Sequence, residues 1–571
     1  MAGREKEPQK ARSRRSQRSR VRRMATVQPP KKSDLEDALR MGSATSASQH
    51  MPSAREPGDL ERASSAMVSD RQTREGDEPQ SGEHALEESD SLVVPEKSGN
   101  SRVTPEDSME ERSGTNGKPA GWNAFWAQDR KNALTHLARV GAKARKDKGE
   151  KFNNLLSHIK APLLEEAYRR LRKDAAVGVD KETWEEFGQN IDERLRDLQD
   201  RVHRGSYHPQ PVRRVFIEKG DGKKRPLGVP SLEDKIVQQA VRMLMEPIYE
   251  ESEFRGFSYG FRPGRSQHRA LDALAVTIGK KVNWVLDADI RSFFDTIDHG
   301  WMQKFIEHRI ADRRLVRLLM KWLHAGVFED GKLVEVEEGT PQGGIISPLL
   351  ANIYLHYALD LWVHQWRRRH ARGEVYIVRY ADDVVMGFQH ESDARAMRDA
   401  LGQRLAAFGL ELHPKKTRVI RFGRFAKRDC GRDGRSRPET FDFLGFTHIC
   451  AEASDGTRGF RYIRRTSKKK RIAKLAALSV EIGRRRHHKV AEQHAWLNSV
   501  LWGHYQYYGV PGNLPALASF YERVRRRWHA TLQRRSQRAK WTDARRERFD
   551  TAFPLLRPRI THPWPYQRFT P

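Results

Sequence analysis

Asp382 and Asp383 stand side by side between two apolar runs, Val375-Tyr-Ile-Val-Arg-Tyr380 and Val384-Val-Met-Gly-Phe388. Paired carboxylates can hold a hard divalent cation, which prefers oxygen ligands and takes one or two carboxylates plus substrate phosphate oxygens. Taken alone, the stretch also reads as an ordinary turn at the tip of a β-hairpin, because Asp is a common turn residue. A metal site needs a second acidic strand, and residues 282–299 supply one. Asp287 and Asp289 share a face there, since side chains in a strand repeat every two residues. Trp284, Val285, Leu286 and Ile290 around them argue against a solvated edge strand.

A third stretch, Gly339–Leu355, places Gln342-Gly343-Gly344 ahead of Ser347-Pro348 and the apolar Leu349, Leu350, Ile353 and Tyr354. Ser followed by Pro predicts an N-cap at Ser347 with Pro348 at the first helical position, and the apolar residues mark a buried face. The glycines ahead of it let another backbone or a nucleotide approach closely. An acidic strand, a Gly-rich loop opening a helix and a strand–Asp-Asp–strand hairpin, in that order, are the parts of a polymerase palm. Two divalent cations about 3.5–4 Å apart would there activate a primer 3′-hydroxyl and neutralise the departing pyrophosphate. Catalysis is then mostly positioning and charge stabilisation.

The elements that must position these groups belong to a chain of 571 residues, long enough for three or four units. Residues 1–120 are poor in aromatics and rich in Ser, Gly, Pro, Glu and Arg, which predicts a disordered basic extension. Its first 23 residues carry ten Lys or Arg with Glu5 and Glu7 and no apolar run, which is not a secretory signal. Trp122, Phe125 and Trp126 open a helical region. Val212–Glu218 and Lys223–Val229 flank Gly220-Asp-Gly222 and predict a hairpin. Beyond Phe441–His448 strands are expected to give way to basic helices, one with Leu517, Phe520, Tyr521, Val524, Trp528 and Leu532 on a single face.

The formal net charge is +31, from 106 Lys plus Arg against 75 Asp plus Glu. That excess points to a polyanion partner, nucleic acid before an anionic membrane surface. No run approaches the roughly 18 apolar residues of a membrane span. The two cysteines, Cys430 and Cys450, provide neither a disulfide framework nor a C-x-x-C zinc pair, which suits a reducing cytosol. Residues 461–474 hold eight Lys or Arg and no acid, with Trp496, Trp502, Tyr505, Tyr507, Tyr508 and Trp528 following. Basic groups with aromatics suit an RNA backbone and its unstacked bases, although most such aromatics are core residues.

Seven motifs stand in one order. They are Arg225-Pro-Leu-Gly-Val-Pro230 with Asp234-Lys235, Gly260-Phe-Arg-Pro-Gly-Arg-Ser-Gln-His268, Asp289–Asp295, Gly339–Asn352, Tyr380-Ala-Asp-Asp383, Leu412-His-Pro-Lys-Lys-Thr417 and Phe443-Leu-Gly-Phe446. On these motifs the sequence resembles the reverse transcriptase/maturases encoded by group II introns, over roughly residues 150–450, with a maturase-like segment including Trp502–Gly509.

The resemblance implies an α/β (α+β) right-hand polymerase fold, with fingers and palm over 121–450 and an α-helical thumb/maturase domain over 451–571. Carried over by position, Asp289, Asp382 and Asp383 would be the catalytic carboxylates holding two Mg²⁺, with the Ile290 carbonyl as an extra ligand. Arg225 would grip the incoming triphosphate, assisted by Lys224, with Lys416 near the nucleotide. Gln342 and Gly343 would line its pocket. Phe294 would be the gate against a ribose 2′-hydroxyl, and in an extended backbone Phe293 and Phe294 would face opposite ways. Arg262 and Arg265 would contact template phosphates or make structural ion pairs. Lys468, Lys469, Lys470 and Arg471 would bind the intron RNA.

The implied activity is RNA-directed DNA synthesis by target-primed reverse transcription, joined to maturase action on the intron RNA. Its partners would be that RNA, a target DNA primer and deoxynucleoside triphosphates in a bacterial cytoplasm, with a homodimer left open. The zinc-type cysteine pairs that accompany an H-N-H endonuclease are absent, so no intrinsic second-strand nicking is expected. The alternatives are an RNA-binding splicing factor on a dispensable polymerase scaffold, or a domesticated defence or CRISPR-associated reverse transcriptase. Intact carboxylates weigh against the first, because a scaffold beside a polyanion has no need of them.

Overall fold

The apolar run on each side of Asp382-Asp383 becomes a strand buried on both faces, and covering those faces organises the fold. The computed structural model describes residues 120–568 apart from 219–223, 330–331, 335–338, 340–342, 453–459 and 536–540. The expected N-terminal extension lies outside the described residues.

Helix α1 (Ala120–Lys146) begins where the aromatic-rich segment predicts. The predicted hairpin forms as β1 (Val212–Glu218) and β2 (Lys224–Val229), antiparallel with Val215 opposite Leu227. Helix α2 (Leu232–Ser252) follows, started by the Ser231 hydroxyl accepting from the Asp234 amide. Next come α3 (Gln267–Gly279) and β3 (Trp284–Asp289). Short strands β4 (Val327–Glu329) and β5 (Lys332–Val334) extend the first hairpin into a sheet of order β2-β1-β4-β5, in which β1 and β4 are parallel.

Helix α4 (Ser347–Leu355) has Ile346 at its cap position and Ser347 as its first residue, one position from the predicted start. Both Ser347 and Leu349 are buried, so packing decides this end rather than a side-chain cap. The helix runs into a π-helical turn, His356–Asp360.

Strands β6 (Val375–Tyr380), β7 (Asp383–Phe388) and β8 (Arg418–Arg421) join β3 in an antiparallel sheet of order β6-β7-β3-β8. Alternate residues serve two cores. Leu286, Ala288, Ile377, Val384 and Met386 pack with Ile236, Leu244, Leu350 and Ile353 of α2 and α4. Val285, Val378, Val385 and Ile420 pack with Leu271, Leu274 and Ile278 of α3 and with Phe441, Phe443 and Phe446. Burial on both faces accounts for the continuous apolar runs.

The boundary expected at 450/451 falls within a strand. Strand β10 (Phe446–Glu452) runs through it, between β9 (Phe441–Phe443) and β11 (Phe460–Thr466) in an antiparallel sheet. Strands therefore continue to Thr466, and this sheet covers the second face of the central one. After it come α5 (Lys468–Arg484), α6 (Val490–Tyr508) and α7 (Leu514–Gln533). Leu517, Phe520, Val524, Trp528 and Leu532 of α7 are buried as the helical spacing predicts, against Leu478, Ile482, Leu497 and Leu501.

The helical part is tied to the rest at several places, among them its start and its end. At its start, Arg464 of β11 pairs with Asp272 of α3 at 2.8 Å, both almost wholly buried. Nearby, Asn513 receives the Thr466 amide and donates to its hydroxyl. At its end, His562 donates to the Gln506 carbonyl and His268 to that of Tyr507, satisfying acceptors at the C-terminus of α6. The two imidazoles stack at 3.8 Å. A last turn, α8 (Pro565–Arg568), lies on α3, and the Tyr566 hydroxyl fills the space a Cβ at Gly279 would need.

Candidate active site

The Asp-Asp hairpin is tight. Tyr380 pairs with Asp383, leaving Ala381 and Asp382 as a two-residue turn. Ala381 takes φ 56, a left-handed conformation that glycine usually supplies. In the neighbouring strand Asp289 is the cross-strand partner of Asp383, which sets their Cβ atoms about 5 Å apart. Asp287, Asp289 and Asp383 fall on the face shared with Val285 and Val385, as strand alternation requires. Three of the predicted acids thus meet at one end of the sheet with Asp382 in the turn above.

The segment around Leu412-His-Pro-Lys-Lys-Thr417 completes this end. Ile290 bridges Leu412, the Asp289 carbonyl accepts from the His413 amide, and the Arg291 amide donates to the Glu411 carbonyl. The same segment delivers Lys416, whose Nζ lies 2.7 Å from Asp289 Oδ2.

Burial, then Asp382, Asp289 and Asp287, push the Asp383 carboxyl up to about 7, against a smaller opposing pull from Lys416. Its side chain still reaches solvent, so water screens part of the burial cost. Asp287 is raised to about 6, chiefly by burial, opposed by Arg418 at 3.7 Å and assisted by Asp289 and Asp442. A carboxyl whose folded pKa lies above its unfolded value contributes stability below the unfolded pKa and loses it as pH rises through the folded one. Asp383→Asn is therefore expected to raise Tm above pH 7, with the gain shrinking toward pH 4. Thermal melts across that range in chelator check this; a gain of equal size at every pH would remove the electrostatic account.

Crowded carboxylates with one lysine among them suit a cation. Among the described residues, no three His, Cys, Asp or Glu side chains close on one point tightly enough to hold a metal by themselves.

Other predicted residues fall variously. Gln342 and the side chains of Lys224 and Arg225 lie outside the described residues. Gly343 has φ 120, and a Cβ there would come within 2.4 Å of the Gly228 carbonyl oxygen, so the Gln-Gly-Gly loop abuts the strand that carries Arg225. Phe294 does not follow an extended backbone. Ser292 at φ 46 starts a 3-10 turn over Phe293–Asp295, and both rings are buried in the first core, 5.4 Å apart. Arg262 is buried and forked on Glu250 at 2.8–3.0 Å, with further bonds to the Arg255 and Ser258 carbonyls. It takes the structural role of the two expected, and its donors are not turned to a template phosphate. Arg265 donates to the Gly256 carbonyl over the Tyr259 ring, and burial lowers its pKa to about 10.

Lys468, Lys469 and Lys470 are exposed in the first turn of α5, with Arg471 half-buried. Of the aromatics noted near this basic run, Trp502 is 54% exposed, whereas Trp528 is a core residue whose indole donates to Gln493. Sequence reasoning missed Arg379, Asp360 and Asn352, which surround the turn from within. Arg379 Nε and Nη2 reach Asp360 at 2.7 and 2.5 Å, and Nη1 reaches Asn352 Oδ1 at 3.1 Å and the Ala381 carbonyl at 3.0 Å. The available signal was an arginine inside a strand too apolar to be solvated, which demands a buried acid.

Residues 217–448 match the family described as reverse transcriptase (RNA-dependent DNA polymerase). Among the proteins the chain is similar to are the following. The chain is 38% identical over 247 residues to the group II intron-encoded protein LtrA of Lactococcus lactis, covering 42% of this chain and 40% of that protein. It is 40% identical over 222 residues to protein YkfC of Escherichia coli K12, covering 34% of this chain and 58% of YkfC. A nuclear intron maturase 4 of Arabidopsis thaliana is 29% identical over 156 residues, 27% of this chain and 19% of the relative. The matches thus span about half the length of these relatives or less. No helix among the described residues is long and apolar enough to cross a membrane.

Proposed function

We propose that the chain is an RNA-directed DNA polymerase of a group II intron that also acts as a maturase on the intron RNA. The carrying observation is the cross-strand pair Asp289–Asp383 with Asp382 in the adjoining turn, inside a segment that matches reverse transcriptases. In this reading the sheet β6-β7-β3-β8 is the palm, the sheet containing β1 and β2 belongs to the fingers, and α5–α7 form the thumb/maturase part. Asp289, Asp382, Asp383 and the Ile290 carbonyl would hold divalent cations, taken as two Mg²⁺. When bound, these supply Lewis acidity that activates a primer 3′-hydroxyl and offsets charge on the leaving pyrophosphate.

The chain's own residues do the rest. Lys416 pairs with Asp289 and would offer its charge to the incoming triphosphate. Arg225 and Lys224 on β2 would meet the same triphosphate, beside a pocket edged by Gln342 and Gly343. Phe294 would act on the sugar edge from its buried seat. The primer would be a target DNA end and the template the intron RNA.

The direct experiment is extension of a DNA primer on an RNA template, with deoxynucleoside triphosphates and Mg²⁺. Extension supports the reading; intron-RNA binding without extension would favour the splicing-factor alternative. A second measurement concerns α5. Neutralising Lys468, Lys469, Lys470 and Arg471 is expected to flatten the salt dependence of RNA affinity by roughly 0.7–0.9 log units of slope per lost phosphate contact. An unchanged slope would move the RNA surface elsewhere.

A further inference from the structure

We propose that Arg379, with Asp360 and Asn352, is the positioning device for the Ala381–Asp382 turn, an inference that rests on Asp382 and Asp383 being the cation-binding carboxylates. Arg379, Asp360 and Asn352 are almost completely buried. A guanidinium removed from water costs several kcal/mol unless its donors are satisfied, and apolar replacement of a buried pair is often neutral or stabilising. Stability alone is a weak reason to keep this one.

What the arginine touches supplies a reason. Four donor contacts run to Asp360, Asn352 and the carbonyl of Ala381. Ala381 sits at φ 56, which costs a residue with a Cβ about 1–2 kcal/mol. That carbonyl shares one rigid peptide plane with the amide nitrogen of Asp382, so holding the oxygen orients the backbone entering Asp382.

The turn is confined from the other side too. A Cβ at Gly260 would come within 2.3 Å of the Ala381 nitrogen, so the chain at Gly260 presses directly on the turn. Asn352 Nδ2 donates to the Gly260 carbonyl at 2.8 Å while its oxygen receives Arg379. The Arg379 backbone is itself fastened to this segment, accepting from the Tyr259 amide and donating to the Phe257 carbonyl. One closed circuit, Arg379–Asn352–Gly260–Ala381, thereby links the Gly260–His268 motif, the Gly339–Asn352 motif and the Asp-Asp turn. Asp360 enters through the π-helical turn His356–Asp360, a geometry often found at functional sites.

The test compares wild type with Arg379→Lys, which keeps the charge and loses the planar fork. Asn352→Ser serves as a second variant that leaves the Arg379–Asp360 pair intact. Expected are a kcat for primer extension lower by roughly 10–100-fold and a matching loss of affinity in direct Mn²⁺ titrations. Template–primer affinity is expected to stay within about twofold. Adding Ala381→Gly to Arg379→Lys is expected to recover several-fold of kcat, because glycine enters φ 56 without a clamp. If both single variants match wild type in kcat and Mn²⁺ affinity while Asp382→Ala is inactive, the positioning role is wrong and the site reading stands. If wild type itself extends no primer, or Asp382→Ala remains active, the site reading and this inference fall together.

Discussion

Asp382→Ala is expected to reduce RNA-templated primer extension by about a thousandfold, on the order of 4 kcal/mol of transition-state stabilisation. The effect is large because the remaining set is open. Among the described residues no three acids close on a metal unaided, so in the proposed reading each carboxylate would carry a large share of cation binding. RNA binding should be retained, since Asp382 adds negative charge beside a polyanion and its loss removes repulsion. Single-turnover extension with matched binding measurements separates the two. Extension near the wild-type rate would mean that the cations, if used, are held elsewhere.

Arg464→Ala is expected to destabilise the fold by about 3–5 kcal/mol, because it removes Arg464 from a buried ion pair and leaves the Asp272 carboxyl in place. For a cooperative unit of ordinary domain size that corresponds to a Tm lower by on the order of 10 °C. The double variant Arg464→Met/Asp272→Leu should recover most of this, since paired apolar groups need no compensation. Calorimetry of the three proteins tests it. A single-variant loss below about 1 kcal/mol would put the pair in the class of solvated surface bridges.

The parts of the molecule written in local pattern were legible in its sequence. Tyr380–Asp383 announced a hairpin, Asp287 and Asp289 a shared strand face, and the 3.6-residue spacing from Leu517 to Leu532 a packed helix. What escaped depends on partners far along the chain. Phe460–Thr466 reads as part of a basic run, and becomes a sheet strand with a buried arginine because Asp272 waits 192 positions earlier. The strand that spans the expected boundary at 450/451 escaped for the same reason. For Arg262 a phosphate contact and a structural ion pair were equally open by sequence, and only the fold brings Glu250 of α2 against it. The rings of Phe293 and Phe294 face opposite ways only in an extended backbone, and Ser292 turns the chain before they are placed. Arg379 stood in plain view within the hairpin, yet its role depends on Asp360 and on the Gly260 segment, neither of which local periodicity connects to it.

The helical part beyond Thr466 is fastened to α3 at two separated points, through Arg464 at its entry and through His562 and Tyr566 at its exit. Between these points the Tyr507 hydroxyl donates to the Leu444 carbonyl and Val510 packs in the second core, so the helical part is seated along the same layer that backs the Asp-Asp hairpin.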